Sequence, residues 1–223
     1  MSHPCVTYDL IIFDYDGVVA DSEVLNSTVM AEQLTAIGLP TTLDDVLGAY
    51  TGKRWRDNRA AVEARLGRAC PDDFHTTWFA TCRQRAPHQL QPVPGMIDFA
   101  QTRPEARCIA SSSGPDWIGV GLDLFGLTDH FGGSVFTGLA VERGKPHPDL
   151  FLHAARTMGV DPSRALVIED SEAGVSAGVA AGMTVVGLLA GAHVRDGHAE
   201  RLAARGANHL AATYREVAAF MDR

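Results

Sequence analysis

The chain has 223 residues, 46% of them hydrophobic and 21% charged, with a net charge of −8. That describes a globular protein with one large domain, or an ordinary domain carrying a smaller insertion. The acidic balance argues against nucleic acid or an anionic membrane as a partner, and it requires that any anionic substrate be held by local positive charge or a metal. Four cysteines, Cys5, Cys70, Cys82 and Cys108, form no CxxC pair, which reads as reduced thiols in a cytoplasmic protein. The opening "MSHPCVTYDLIIF" lacks the basic start and the length of a signal peptide.

In chain order, "YDLIIFD" is a near-continuous apolar strand, the pattern of a parallel strand covered on both faces. Residues 22 to about 90 then read as helices alone: 23–37, 42–49, 54–66 and 71–85, the last begun by Pro71 with Asp72 and Asp73 in its first turn. "QPVPG" at 91–95 is the return hinge. Beyond it short β-like runs at 107–111, 134–138, 165–170 and 184–189 alternate with helical stretches at 95–101, 115–125, 148–158, 172–182 and 197–205. "NHLAA" is a last short strand, followed by a helix from Tyr214. The pattern predicts an α/β fold: a Rossmann-like parallel sheet with helices on both faces, formed by residues 1–20 and 92–223, and an inserted all-helical cap over 21–91.

Residues 173–192, "AGVSAGVAAGMTVVGLLAGA", carry no charge and place Gly174, Gly178 and Gly182 at GxxxG spacing. The run is long enough for a membrane span. The favoured reading is a small-residue helix followed by a buried strand, because five glycines leave it weakly hydrophobic and "AGMT" breaks it at a helix-to-strand junction.

In open parallel sheets ligands bind at the carboxyl ends of strands. Asp14 and Asp16 follow the first strand, Ser111, Ser112 and Ser113 the second, and Glu169 and Asp170 the run "ALVI"; Lys145 and His147 lie in the loop "RGKPHPD". Carboxylates, hydroxyls and one lysine at a strand-end cleft suit a hard cation and a phosphate, with Mg²⁺ favoured by oxygen-only ligands. The metal answers the repulsion among Asp14, Asp16 and Asp21, since acids that oppose one another can share a dication. Each element also has a plainer reading. Asp16-Gly17 is a turn signal, the serine run a helix N-cap, Glu169-Asp170 a lead-in to a capped helix, and Lys145 a solvated charge. Their occurrence together, each at a strand end or its neighbouring loop, favours the site.

"DYDGVVAD", Ser111 after "CIA", Lys145 in "GKPHPD" and "VIEDSEAG" together resemble the four motifs of the haloacid dehalogenase-like superfamily, helical cap included. The resemblance implies that Asp14 attacks phosphorus to form an aspartyl-phosphate and that Asp16 serves as general acid and then base. It implies Mg²⁺ held by Asp14, the Asp16 backbone carbonyl and Asp170, with Glu169 assisting, while Ser111, Ser112 and Lys145 hold the phosphoryl group. Asp21 is expected to be scaffold, fixing the turn into the cap.

Within the family, Asp16 favours an oxygen leaving group over a halide or a carbon–phosphorus bond. A sugar-phosphate mutase resembling β-phosphoglucomutase stays open. Against it, Asn26 stands where those mutases carry His, and Trp55 where they carry an arginine, although Lys53, Arg54 and Arg56 adjoin. The favoured activity is a Mg²⁺-dependent phosphatase acting on a small phosphorylated metabolite, a sugar or sugar-acid phosphate. Arg54 and Trp55 are expected to touch its organic part. Trp78 and Trp117 are expected in the core, and His193 and His198 at the surface. A monomer or weak homo-oligomer is expected.

Overall fold

The computed structural model describes residues 7–50 and 55–223, without the side chains of residues 56 and 57. The sheet-forming run begins with β1 (Leu10–Phe13), followed by four helices, α1 (Glu23–Ala36), α2 (Leu43–Ala49), α3 (Trp55–Leu66) and α4 (Phe74–Gln89). Then come α5 (Met96–Thr102), β2 (Ala106–Ser111), α6 (Pro115–Phe125), α7 (Thr128–Phe131), β3 (Val135–Thr137), α8 (Asp149–Thr157) and β4 (Ala165–Glu169). The chain closes with α9 (Glu172–Ala180), β5 (Thr184–Leu188), α10 (His198–Ala204), β6 (His209–Ala211) and α11 (Tyr214–Met221).

The six strands form one parallel sheet in the order β3-β2-β1-β4-β5-β6. β1 is central, with Phe13 opposite Ile109 on one side and Ile168 on the other. Successive strand residues point to opposite faces, and each face has its own core. Ile11, Phe13, Ile109 and Ile168 pack with Met96, Ile118, Tyr214 and Val217 from α5, α6 and α11. Leu10, Ile12, Cys108 and Val167 pack with Leu150, Phe151 and Val175 from α8 and α9. Burial on both faces is why β1 and β4 read as unbroken apolar runs.

The helices between β1 and β2 carry a third core, in which Met30, Leu34, Val46, Tyr50, Val62 and Phe74 meet. The chain leaves and re-enters the sheet side through two paired segments: Ala20 bridges Pro92, Asp21 N–H donates to Gln91 O at 2.9 Å, and Val93 N–H donates to Val19 O at 3.0 Å.

One expectation is corrected, one element is added, and the favoured reading of residues 173–192 holds. The helix expected at 71–85 runs from Phe74 to Gln89 and takes Pro87 into its last turn. Ala86 and Leu90 are buried in the sheet-side core, so packing holds that turn where a proline would otherwise end it. The short α7, in the stretch between α6 and β3, had no periodicity long enough to announce it. The run at 173–192 resolves into α9 and β5, and among the described residues no helix is long and apolar enough to cross a membrane. Its glycines serve packing instead: a Cβ on Gly174 would sit 1.6 Å from Glu169 Oε1, and one on Gly178 would sit 2.7 Å from Val185 Cγ2.

Candidate active site

Asp14 continues β1, its N–H donating to Ile168 O at 3.0 Å, so its side chain emerges at the carboxyl end of the sheet beside β4. Asp14, Glu169 and Asp170 are all buried, and one oxygen from each lies within 4.8 Å of the others. Lys145 Nζ donates to Asp14 Oδ1 and to Glu169 Oε1, both at 2.7 Å. The second Glu169 oxygen accepts from Ser171 N at 2.9 Å and Ser171 Oγ at 3.0 Å. Both oxygens of Glu169 are therefore engaged within the protein, while Asp14 and Asp170 turn toward the cleft.

Electrostatics follow from this packing. Burial pushes the Asp14 carboxyl well above the ordinary carboxylate value; Lys145 opposes the shift, and Glu169 and Asp170 add to it. Burial alone would lower Lys145, but the charges of Asp14 and Glu169 outweigh it and hold the ammonium protonated. An oxygen-only acidic cluster whose carboxyl is driven toward protonation fits a hard divalent cation, which would replace the proton.

Asp16 stands outside that cluster. Its carboxylate accepts from Ser22 Oγ and Ser113 Oγ, and from Trp117 Nε1 at 2.9 Å. Directly after Asp16 the chain turns at Gly17, with φ +77°, where a Cβ would lie 1.8 Å from Asp170 Oδ2. Only glycine lets the backbone approach Asp170 so closely. Ser111 is buried at the end of β2, its Oγ accepting from Ser113 N at 3.2 Å, and Ser112 is exposed beside it. Asp21 Oδ1 accepts from Ala192 N at 3.0 Å, tying the turn after β1 to the loop after β5.

Above these groups lies a cavity of about 600 Å³. Asp14, Asp16, Ser111, Ser112, Lys145 and Asp170 form its floor, and α1, α2, α3 and α4 its roof. Trp55 is in that roof, stacked on Phe74 with ring centroids 4.9 Å apart. Arg54 and Lys53 lie outside the described residues, as does the side chain of Arg56.

The structure adds residues that the sequence reading placed elsewhere. Trp78 and Trp117, expected in the core, both line the cavity as well as packing against it. His193, expected at the surface, is buried with its Nε2 3.0 Å from Asp170 Oδ2. Burial would lower its pKa, but the hydrogen bond and charge of Asp170, with Glu23 and Asp21 behind them, hold it above the usual value. The ring of His198 is 2.6 Å from the Asp170 carbonyl oxygen. These histidines follow β5, and the rule that ligands gather at strand ends points to that loop as it does to β1, β2 and β4. Glu23, in the first turn of α1, also faces the cavity, its carboxyl pushed up to about 8 by burial, with Asp16 and Asp170 reinforcing.

The family model for haloacid dehalogenase-like hydrolases matches residues 8–182. The chain belongs to this family. The hydrolase is 23% identical over 186 residues to the 6-phosphogluconate phosphatase of Escherichia coli, covering 83% of this chain and 84% of that one. To the fructose-1-phosphate phosphatase of the same organism it is 28% identical over 180 residues, covering 80% and 95%. A crystal structure of a haloacid dehalogenase-like protein from Agrobacterium tumefaciens superposes with a TM-score of 0.85 at 30% identity, covering 96% of this chain and 97% of that one. This hydrolase is an enzyme of the family's phosphatase branch, and its sheet and helical insertion are the family's fold.

Proposed function

We propose that this hydrolase removes phosphate from a small phosphorylated metabolite, a sugar phosphate or sugar-acid phosphate, with Mg²⁺ at the acidic cluster and an aspartyl-phosphate intermediate on Asp14. The observation that carries this reading is the pairing of Asp14 with Lys145 at 2.7 Å inside a buried acidic cluster, on the floor of a cavity roofed by helices.

Asp14, Asp170 and the Asp16 backbone carbonyl would hold Mg²⁺, and Glu169 would support it through Lys145 or a water. Bound there, the ion would supply charge neutralisation to the phosphoryl oxygens and the nucleophile. Asp14 attacks phosphorus in line while Ser111, Ser112 and Lys145 bind the phosphoryl oxygens. Asp16, kept apart from the cluster by Ser22, Ser113 and Trp117, gives a proton to the leaving oxygen and then takes one from the attacking water. Residues 21–91 act as the cap and 1–20 with 92–223 as the catalytic core, with Trp55 in the cap touching the organic part of the substrate and Arg54 its neighbour in sequence.

Two relatives named for sugar and sugar-acid phosphates support the substrate class. Hydrolysis is preferred to intramolecular transfer because Asn26, which lines the cavity, takes the place of the mutases' histidine. Cys70, Cys82 and Cys108 form no disulfide, in keeping with a reducing, cytoplasmic setting.

The test is phosphate release over a panel of sugar and sugar-acid phosphates, with Mg²⁺ and with EDTA. Release that EDTA abolishes, and that Asp14→Asn lowers at least ~10³-fold, is expected. Activity surviving in Asp14→Asn sinks the covalent step, and a hexose phosphate isomerised without free phosphate returns the mutase.

A further inference from the structure

The two oxygens of Asp16 meet donors of different kinds. Oδ1 accepts from Trp117 Nε1 at 2.9 Å and from Ser22 Oγ, and Oδ2 accepts from Ser113 Oγ. A serine hydroxyl can turn to accept a proton as readily as it gives one, whereas an indole N–H only donates. Protonating Oδ1 would weaken it as an acceptor and leave the buried indole N–H short of its partner. Protonating Oδ2 requires only a turn of the Ser113 hydroxyl, which lies in the cavity lining.

The indole is built into its place. Trp117 is 2% exposed, in the first turn of α6, and its ring meets Phe79 of α4 edge-on with centroids 6.3 Å apart. One turn further along α6, a Cβ on Gly121 would sit 1.9 Å from the Tyr15 hydroxyl oxygen. Glycine there is what lets the helix close on the residue next to Asp16. Ser22, the other neighbour of Oδ1, is fully buried.

We infer that Trp117 is a positioning residue for the acid–base step: by claiming Oδ1 with a donor that cannot reverse, it makes Oδ2 the oxygen that exchanges the proton. The inference rests on the phosphatase reading above and deepens it. As an Asp14 oxygen bonds to phosphorus, the bond from phosphorus to the leaving oxygen breaks. That oxygen keeps the electron pair, takes the Oδ2 proton and departs as an alcohol. Water then bonds to phosphorus and gives a proton to Oδ2, the bond from phosphorus to Asp14 breaks, and phosphate leaves. A sugar alkoxide needs the first proton, whereas p-nitrophenolate is a stable anion and leaves without it.

The test follows single turnovers with enzyme in excess and Mg²⁺ present, which read transfer to Asp14 alone, for the best sugar phosphate and for p-nitrophenyl phosphate. Trp117→Phe keeps an aromatic ring and removes the N–H. Trp117→benzothienylalanine keeps both rings with sulfur in place of the N–H, and serves if the smaller ring disturbs the fold. Each should lower the ratio of sugar to aryl phosphate rates by ~10-fold. Asp16→Asn, which cannot give up a proton, should lower it by at least ~100-fold. Aryl phosphate turnover shows that each variant is folded, and a merely structural loss would lower both rates alike. A ratio unchanged in the Trp117 variants while Asp16→Asn lowers it overturns the inference and leaves the phosphatase reading standing. A ratio unchanged in Asp16→Asn as well removes Asp16 as the acid, and the inference with it. A native enzyme that turns over neither substrate overturns the phosphatase reading, and this inference with it.

Discussion

Lys145→Met removes a charge while keeping most of the side chain's volume, and it isolates what the lysine does for the folded protein. The Lys145 side chain is 5% exposed and Glu169 is 0% exposed, with both carboxylate contacts at 2.7 Å. Deleting one partner of a buried ion pair costs about 3–5 kcal/mol, because the remaining charge stays desolvated. In a chain of this length each kcal/mol moves Tm by about 2–4 °C. Near pH 8 in EDTA the variant should therefore melt about 6–20 °C below the native protein. The gap should narrow on acidification. The Asp14 pKa is raised in the folded state, so the folded form binds a proton more readily than the unfolded chain, and metal-free stability falls as pH rises from about 4. Without Lys145 to oppose that shift the fall is steeper, and at low pH a proton does the lysine's work. Mg²⁺ should recover part of the loss by supplying the missing charge. Thermal melts followed by circular dichroism, in EDTA and in Mg²⁺ across this pH range, make the measurement. A metal-free variant within about 2 °C of native near pH 8, or a gap independent of pH, would refute the reasoning.

Gly17→Ala places a Cβ 1.8 Å from Asp170 Oδ2 at φ +77°, so the carboxylate must move and Mg²⁺ affinity by isothermal titration should fall at least ~10-fold. Unchanged affinity would remove Asp170 from the cation site. His193→Ala takes away the hydrogen-bond partner of Asp170 and should weaken Mg²⁺ by ~10–100-fold, with His193→Gln recovering part of it; equal affinity in all three proteins contradicts this. Glu23 holds its proton up to about pH 8 when folded, against 4.5 as its ordinary value, so metal-free stability should decline as pH rises through that window. Glu23→Gln should flatten the decline in urea titrations, and matching slopes would count against the raised pKa.

Much of the site is legible in one dimension because each part sits where a strand ends. Asp14 follows an apolar run, Ser111 another and Glu169-Asp170 a third, and parallel strands buried on both faces announce themselves by composition. Lys145 is legible through its motif rather than its surroundings. Trp117 shows where local reading ends. It sits 101 residues from Asp16 and reads as a core aromatic on an amphipathic helix, yet its ring nitrogen reaches the Asp16 carboxylate. Nothing in "PDWIGV" separates an indole that only packs from one whose N–H also finds a partner.

The sequence by itself determined the sheet, the helical insertion and the acids, hydroxyls and lysine at the strand ends, because those follow from periodicity and spacing along a short stretch of chain. Only the tertiary structure decided which acids share a cluster. Asp14 joins Glu169 and Asp170, while Asp16, two residues along, is drawn away by Ser22, Ser113 and Trp117. It likewise turned His193 inward against Asp170 and set Glu23 and Asn26 in the wall of the cavity with Trp78 and Phe79. These are matters of where distant segments meet, and desolvation and pairing depend on that meeting rather than on residue type.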